Sequence, residues 1–265
     1  MVPILYEDND IIVVRKPAGL ESQSSRGFAL DMVSEIRRYL HHPQDIHNHP
    51  QGVSTNQPPY VGVIHRLDKP VEGIMVYALN QKSAAALSAA LQAGGMEKSY
   101  LAVVCGKPVD KEGTYVDYLR HYRENNTSKI VDKSDRNGRK AMLNYRVLEV
   151  IHNPLDQDQT LSLIDIELLT GRHHQIRVQF AEHNTPLYGD ERYGGGLSTL
   201  STADGADSGK GRSSRQSFRP SLGLCACRLA FLHPSTGERM EFAITPSGGA
   251  FAWFADSLHS QDIDG

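Results

Sequence analysis

The sequence predicts an α+β domain built on a largely antiparallel sheet. Three observations lead there. Short β-branched or alternating apolar runs recur along most of the chain. Few segments repeat apolar residues at helical spacing. No regular βαβ order links the two kinds of element.

The elements follow in chain order. Ile4-Leu5-Tyr6 and Ile11-Ile12-Val13-Val14 read as strands around a Glu7-Asp8-Asn9-Asp10 turn, and Lys16-Pro17-Ala18-Gly19 stops the second. Leu30, Val33, Ile36, Arg37 and Leu40 recur at helical spacing, so about 29–40 is a helix. Residues 41–60 are rich in Pro, His and Asn and read as a loop. Val61 to Ile64 leads into His65-Arg66-Leu67-Asp68, Lys69-Pro70 turns the chain, and Ile74 to Leu79 is a second apolar run. Residues 81–93 form an alanine-rich helix ended by Gly94-Gly95. Strands are expected at 101–104, 113–118, 140–151 and 161–169, with a basic hairpin-like segment at 120–139. Thr170 to Phe180 holds a glycine turn and a helix reaching about Glu182. Residues 194–219, rich in Gly, Ser and Arg, read as an insertion. Strands at 224–232 and 238–244 and a helix from Gly249 to Leu258 close the chain.

Bulk properties bound the function. The 265 residues hold 39% hydrophobic and 22% charged residues, an ordinary globular composition that buries a core without disulfides. Three cysteines, Cys105, Cys225 and Cys227, form no disulfide framework, which points to a reducing compartment. The N-terminus shows no signal peptide, and no apolar run reaches membrane-spanning length, so the cytoplasm is expected. A net charge of -3 argues mildly against a nucleic-acid partner on average, yet leaves room for a local basic groove.

Asp68 is the first candidate for chemistry. An aspartate before Lys-Pro is commonly a turn residue that binds its own backbone. The apolar flanks Ile64, Leu67 and Ile74 instead suggest a partly buried carboxylate that needs a cation. Arg66, two residues away on an extended segment, would face the other side and is better placed to probe a ligand. Arg172 is expected at a helix start, where free N–H groups attract anions. Arg177 lies between Ile176 and Val178, so it is either an exposed helix arginine or the buried partner of a carboxylate, with Asp68 the proposed partner. Tyr100 is either a packed strand tyrosine or a ring that stacks on a base. His41, His42, His47 and His49 lack the spacing of a metal site, so no metal is expected. Cys225 and Cys227 are expected as packed strand cysteines.

Five segments then carry a family resemblance in order: ILYEDNDIIVVRKPAGL at 4–20, HRLDKPVEGIMVYALN at 65–80, KSYLAVVCGKP at 98–108, LLTGRHHQIRVQFAEHNTPLYGDERYG at 168–194 and LCACRLAFLHPSTGE at 224–238. The chain resembles the RluA-type RNA pseudouridine synthases over about residues 4–254. The resemblance implies the pseudouridine synthase fold, a mixed, mainly antiparallel sheet with a central cleft and flanking helices, as one catalytic domain over 1–265 with loop insertions at 41–60 and 194–219. It implies a cofactor-free isomerase that flips a uridine of ribosomal or transfer RNA, detaches the base, and rejoins it through a ring carbon. In the resemblance Asp68 is catalytic, either attacking the sugar or assisting glycal formation. Tyr100 stacks on the target base, Arg177 pairs with the aspartate, and Arg66 fills the gap left by the flipped base. His65 and Arg172 join Arg66 as expected substrate-binding residues, and a monomer is expected.

Three departures stand out. Val71-Glu72 replaces the usual Thr-Ser or Val-Ser, and a carboxylate four residues after Asp68 would raise its pKa if it faced the cleft. No small N-terminal RNA-binding domain is expected. Cys225 stands where a histidine is common, and the two insertions are unusual. The alternative reading is a non-catalytic RNA-binding maturation factor on the same fold; a metal-dependent hydrolase using the histidine loop is a weaker third.

Overall fold

The computed structural model describes residues 2–24, 30–41, 58–194 and 220–261. Among them, in chain order, are β1 (Ile4–Glu7), β2 (Ile11–Lys16), α1 (Met32–Leu40), β3 (Gly62–Val63), β4 (Glu72–Ala78), α2 (Gln81–Gln92) and β5 (Met96–Cys105). Then come β6 (Glu112–Tyr122), β7 (Thr127–Ile130), β8 (Arg139–Asn153), β9 (Asp156–Leu168) and α3 (Gln175–Glu182). The chain closes with β10 (Leu224–Leu232), β11 (Arg239–Ala243), a 3-10 helix (Gly249–Phe254) and α4 (Ala255–Gln261).

Two compact units form, one from residues 1–101, 166–169 and 224–246, the other from 102–165, 170–223 and 247–265. In the first, the strand order is β1-β2-β4-β10-β5, with β3 on β4 and β11 on β10. Pairing is antiparallel for β1–β2, β2–β4, β3–β4 and β10–β11, and parallel for β4–β10. This is the mixed, mainly antiparallel α+β sheet that the sequence predicts. The run Ile11 to Val14 is wholly buried, so β2 is covered on both faces. Ile11, Val13, Ile74, Val76, Leu87, Met96, Leu229 and Phe231 make its main core. Asn80 caps α2 by accepting the Ser83 N–H at 2.9 Å, and Asp31 caps α1 by accepting the Ser34 N–H at 2.7 Å.

In the second unit the order runs β5-β9-β8-β6-β7. β6 pairs antiparallel with β7 and β8. Leu119 of β6, Ala141 of β8 and Val178 of α3 pack together. Tyr115, Tyr145 and Phe180 form an aromatic cluster beside them, with ring centroids 4.6 to 5.9 Å apart.

Several boundaries differ from expectation. The first helix begins at Met32, because Asp31 supplies the cap, and Leu30 is 68% exposed rather than part of the apolar face. β5 begins at Met96, so Tyr100 lies mid-strand. The closing helix breaks into the 3-10 turn and α4, with Phe251 and Phe254 buried as expected. His42, His47, His49 and residues 195–219 lie outside the described residues. No described helix is long and apolar enough to cross a membrane.

Candidate active site

The first unit builds the site around a defect in its sheet. β4 pairs β2 along Gly73 to Ala78, but meets β10 only at Glu72↔Cys225 and Gly73↔Ala226. Further along, β3 replaces β10, with Gly62 opposite Ala78 and Val63 opposite Tyr77. Val76 lies between the stretches of β4 that pair with these two neighbours. The His65 side chain fills the gap: Nε2 accepts the Val76 N–H at 3.3 Å. That bond needs the neutral ring, and burial together with the nearby Lys98 charge lowers the His65 pKa well below its ordinary value. His65 is thereby held in place three residues before Asp68.

Gly73 makes the parallel contact possible. Its φ is +146°, and a Cβ there would lie 2.5 Å from the Ala226 carbonyl oxygen. Only glycine meets both conditions.

Asp68 sits half-buried on the turn, as expected, and its carbonyl oxygen accepts the Val71 N–H at 3.0 Å. The preceding Leu67 is pinned twice by Ser22, whose hydroxyl donates to the Leu67 carbonyl at 2.8 Å and accepts its N–H at 3.0 Å. A cation that sequence reasoning missed lies close by. Lys16 is fully buried, and its Nζ donates to the carbonyls of Leu20 (2.7 Å), Pro17 (3.0 Å) and Lys69 (3.2 Å). Burial lowers its pKa to about 8, and the charges of Asp68 and Glu72 oppose that fall. The only sequence signal for it was a lysine ending the buried run IIVVRK.

Tyr100 is buried near the same carboxylate. Burial, then the Asp68 charge, raises its phenol pKa, so the hydroxyl stays protonated at neutral pH. Cys225 and Cys227 are buried free thiols, as expected, and the Cys227 Sγ donates to the Ser99 carbonyl at 3.5 Å. Glu72 turns to Arg15, whose Nη2 lies 3.2 Å from its carboxylate. The guanidinium therefore answers the charge that seemed troublesome in the sequence. Arg66 is exposed, and its Nη2 donates to the Gln23 Oε1 at 2.8 Å.

The second unit holds Arg177. It is buried, as one of the two readings required, and Asp190, a carboxylate the sequence reading did not propose, grips it: Nε donates to Oδ2 at 2.7 Å and Nη2 to Oδ1 at 2.8 Å. Asp190 is itself fully buried and accepts the N–H groups of Arg192 (3.0 Å) and Tyr193 (3.2 Å). The Arg177 guanidinium lies 5.2 Å from the centre of the Tyr193 ring. The string GDERYG contains Asp190 and Tyr193, but nothing local marks them as holding an arginine thirteen residues earlier. Tyr193 OH meets His174 Nδ1 at 2.7 Å and accepts the Ser128 N–H at 3.0 Å.

Arg172 departs from expectation. α3 starts at Gln175, with His174 in the left-handed region at φ 55° as its N-cap, so Arg172 precedes the helix. Its Nε donates to the Lys140 carbonyl at 2.9 Å, which keeps the side chain on the edge of β8. Gln175 occupies the backbone instead, accepting the Arg172 N–H at 3.0 Å and donating to the Met142 carbonyl at 3.1 Å. His173 and His174 are depressed to about 4 and about 2, chiefly by burial, with Arg177 contributing to both. Among the described residues no cluster of three or more His, Cys, Asp or Glu side chains is arranged to hold a metal ion.

Residues 10–182 match the family model described as RNA pseudouridylate synthase. The chain is 32% identical over 191 residues to ribosomal large subunit pseudouridine synthase C of Rickettsia bellii, covering 72% of this chain and 56% of that protein. It is 33% identical over 263 residues to ribosomal large subunit pseudouridine synthase D of Pseudomonas aeruginosa, covering 98% of this chain and 72% of that one. The chain thus spans between about half and three quarters of the length of these relatives. The solved structure of human RNA Pseudouridylate Synthase Domain Containing 4 superposes with a TM-score of 0.65 at 21% identity, covering 97% of this chain and 92% of that one, a likeness of fold. With its family model covering well over half of its length, the chain belongs to the RNA pseudouridylate synthase family.

Proposed function

We propose that the protein is an isomerase that converts a uridine of ribosomal RNA to pseudouridine. The observation that carries this reading is the half-buried Asp68 carboxylate on a braced turn, its charge felt by both the buried Lys16 ammonium and the buried Tyr100 phenol. A reactive carboxylate needs to stay ionised and stay still. Lys16 supplies charge of the opposite sign, and Ser22 and the Val71 N–H hold the backbone. Ribosomal RNA is preferred as substrate because the relatives named above are ribosomal large subunit enzymes.

In this reading Asp68 acts at the sugar carbon that bears the base, by attack or by assisting glycal formation. The detached uracil rotates and rejoins through its ring carbon five. Tyr100 offers a ring for stacking, and its hydroxyl, kept protonated, can donate a hydrogen bond. Arg177 is held rigid by Asp190 through both carboxylate oxygens. Arg66 is exposed on the Asp68 segment and occupies the stack that the flipped base leaves. Three free cysteines support a cytoplasmic setting. The test is tritium release from an in vitro transcript of large-subunit ribosomal RNA labelled at uracil carbon five. Release by the wild type and none by Asp68→Asn is expected; release by both variants removes Asp68 from the mechanism.

A further inference from the structure

Lys98 is a half-buried cation of the first unit that the isomerase reading leaves unused. It lies on β5 two residues before Tyr100, so the two side chains leave the same face of the strand. Glu97 points to the other face, where Arg239 grips it with bonds of 2.8 and 3.0 Å. Lys98 is therefore turned away from the exposed ion pair and toward the Asp68 segment. Its charge is felt by His65, three residues before Asp68. The side chain is half-buried, and burial alone accounts for the lowering of its pKa.

Lys16 and Lys98, the two lysines of this unit that are not exposed, differ in one decisive way. The Lys16 ammonium has three carbonyl acceptors and two nearby carboxylates. Among the described residues, Lys98 has no acceptor and no carboxylate partner. Removing an ammonium from water without a partner is unfavourable, and such a group is retained where an incoming anion completes it. RNA carries one anion per nucleotide. A base stacked on Tyr100 brings a phosphate about 7 Å along the strand within reach of the flexible lysine stem.

We propose that Lys98 is a substrate-binding residue that takes a backbone phosphate of the RNA at or next to the target nucleotide, while Tyr100 takes the base. This rests on the isomerase reading only for the identity of the base. The phosphate contact is a binding property and can be measured without turnover.

The experiment is filter binding of an unmodified in vitro transcript of large-subunit ribosomal RNA across a KCl titration. Wild type, Lys98→Gln, Lys98→Arg and the exposed-surface control Lys82→Gln are compared. Lys98→Gln is expected to weaken binding about tenfold to a hundredfold at moderate salt. It should also flatten the plot of log affinity against log salt by about 0.7, the value for one phosphate contact on a single strand. Lys98→Arg should keep the wild-type slope, and Lys82→Gln should leave both quantities unchanged. Without RNA, Lys98→Met should melt at the same temperature as wild type or higher, since it removes a desolvated cation. An unchanged slope in Lys98→Gln, an equal loss in Lys98→Arg, or a lowered melting temperature in Lys98→Met overturns the proposal. Pseudouridine in the same transcript is scored separately. A changed slope without pseudouridine formation refutes the isomerase reading and leaves the phosphate contact standing. Pseudouridine formation with an unchanged slope does the reverse.

Discussion

Asp68 and Asp190 are both carboxylates near a buried cation, and the protein holds them in opposite ways. Asp190 is fully buried, grips Arg177 through both oxygens, and accepts two further backbone N–H groups. Asp68 stays half-exposed on a turn, where the bracing is applied to its backbone and to its neighbour Leu67. The difference separates two uses of one functional group. Satisfying a carboxylate completely makes it a clamp. Asp68 keeps part of its surface exposed on a backbone that is fixed beneath it, with an ammonium close by.

Substitution at the two positions sharpens that contrast. Asp68→Asn should lower pseudouridine formation by about four orders of magnitude or more while unfolding within about 0.5 kcal/mol of wild type. Tritium release and urea denaturation measure the two quantities; a large loss of stability would move Asp68 into the class of Asp190. Asp190→Asn should do the converse, destabilising the fold by about 3–5 kcal/mol because the buried Arg177 guanidinium loses its bidentate carboxylate. The same denaturation experiment reads it.

Gly73 tests the frame on which Asp68 rests. Gly73→Ala should cost about 3 kcal/mol, combining backbone strain with a clash on Ala226. A cost under about 0.5 kcal/mol would show that β4 and β10 separate easily.

Acid tests the second unit by a different route. His173 and His174 titrate in the folded state at about 4 and about 2, below the ordinary 6.5. The unfolded chain therefore binds protons first. Their contribution to stability is complete above about pH 6.5 and falls as pH drops toward 4 and below. His174→Asn, which suits the left-handed backbone at that position, should flatten the decline in unfolding free energy between pH 6.5 and 4. An unaltered slope in the variant would remove His174 as its source. The smallest effect belongs to Glu72→Gln. Its salt bridge to Arg15 is partly exposed, so a loss under about 1 kcal/mol and an unchanged rate are expected. A faster rate in that variant would show that the Glu72 charge reaches the reaction after all.

Much of this was legible before any coordinates. The β-branched run at Ile11 to Val14, the alternation after Gly73 and the alanine-rich helix at 81–93 each announce themselves through local periodicity. Asp68 on a turn between apolar segments was equally visible. Boundaries failed where a single cap or backbone bond decides them. Asp31 starts α1 at Met32, and Gln175 together with the left-handed His174 delays α3, which left Arg172 outside the helix.

What the amino-acid order determined by itself is therefore the set of elements, the sheet class and the turn that carries Asp68, because these depend on neighbours within one turn or one strand. Only the tertiary structure decided who answers whom. Lys16 reaches Asp68 across about fifty residues of chain, Arg15 neutralises Glu72 across a similar span, and Arg177 is locked by Asp190 from beyond the end of its own helix. Electrostatics and burial act through space, and separation along the chain carries no record of them until the chain has folded.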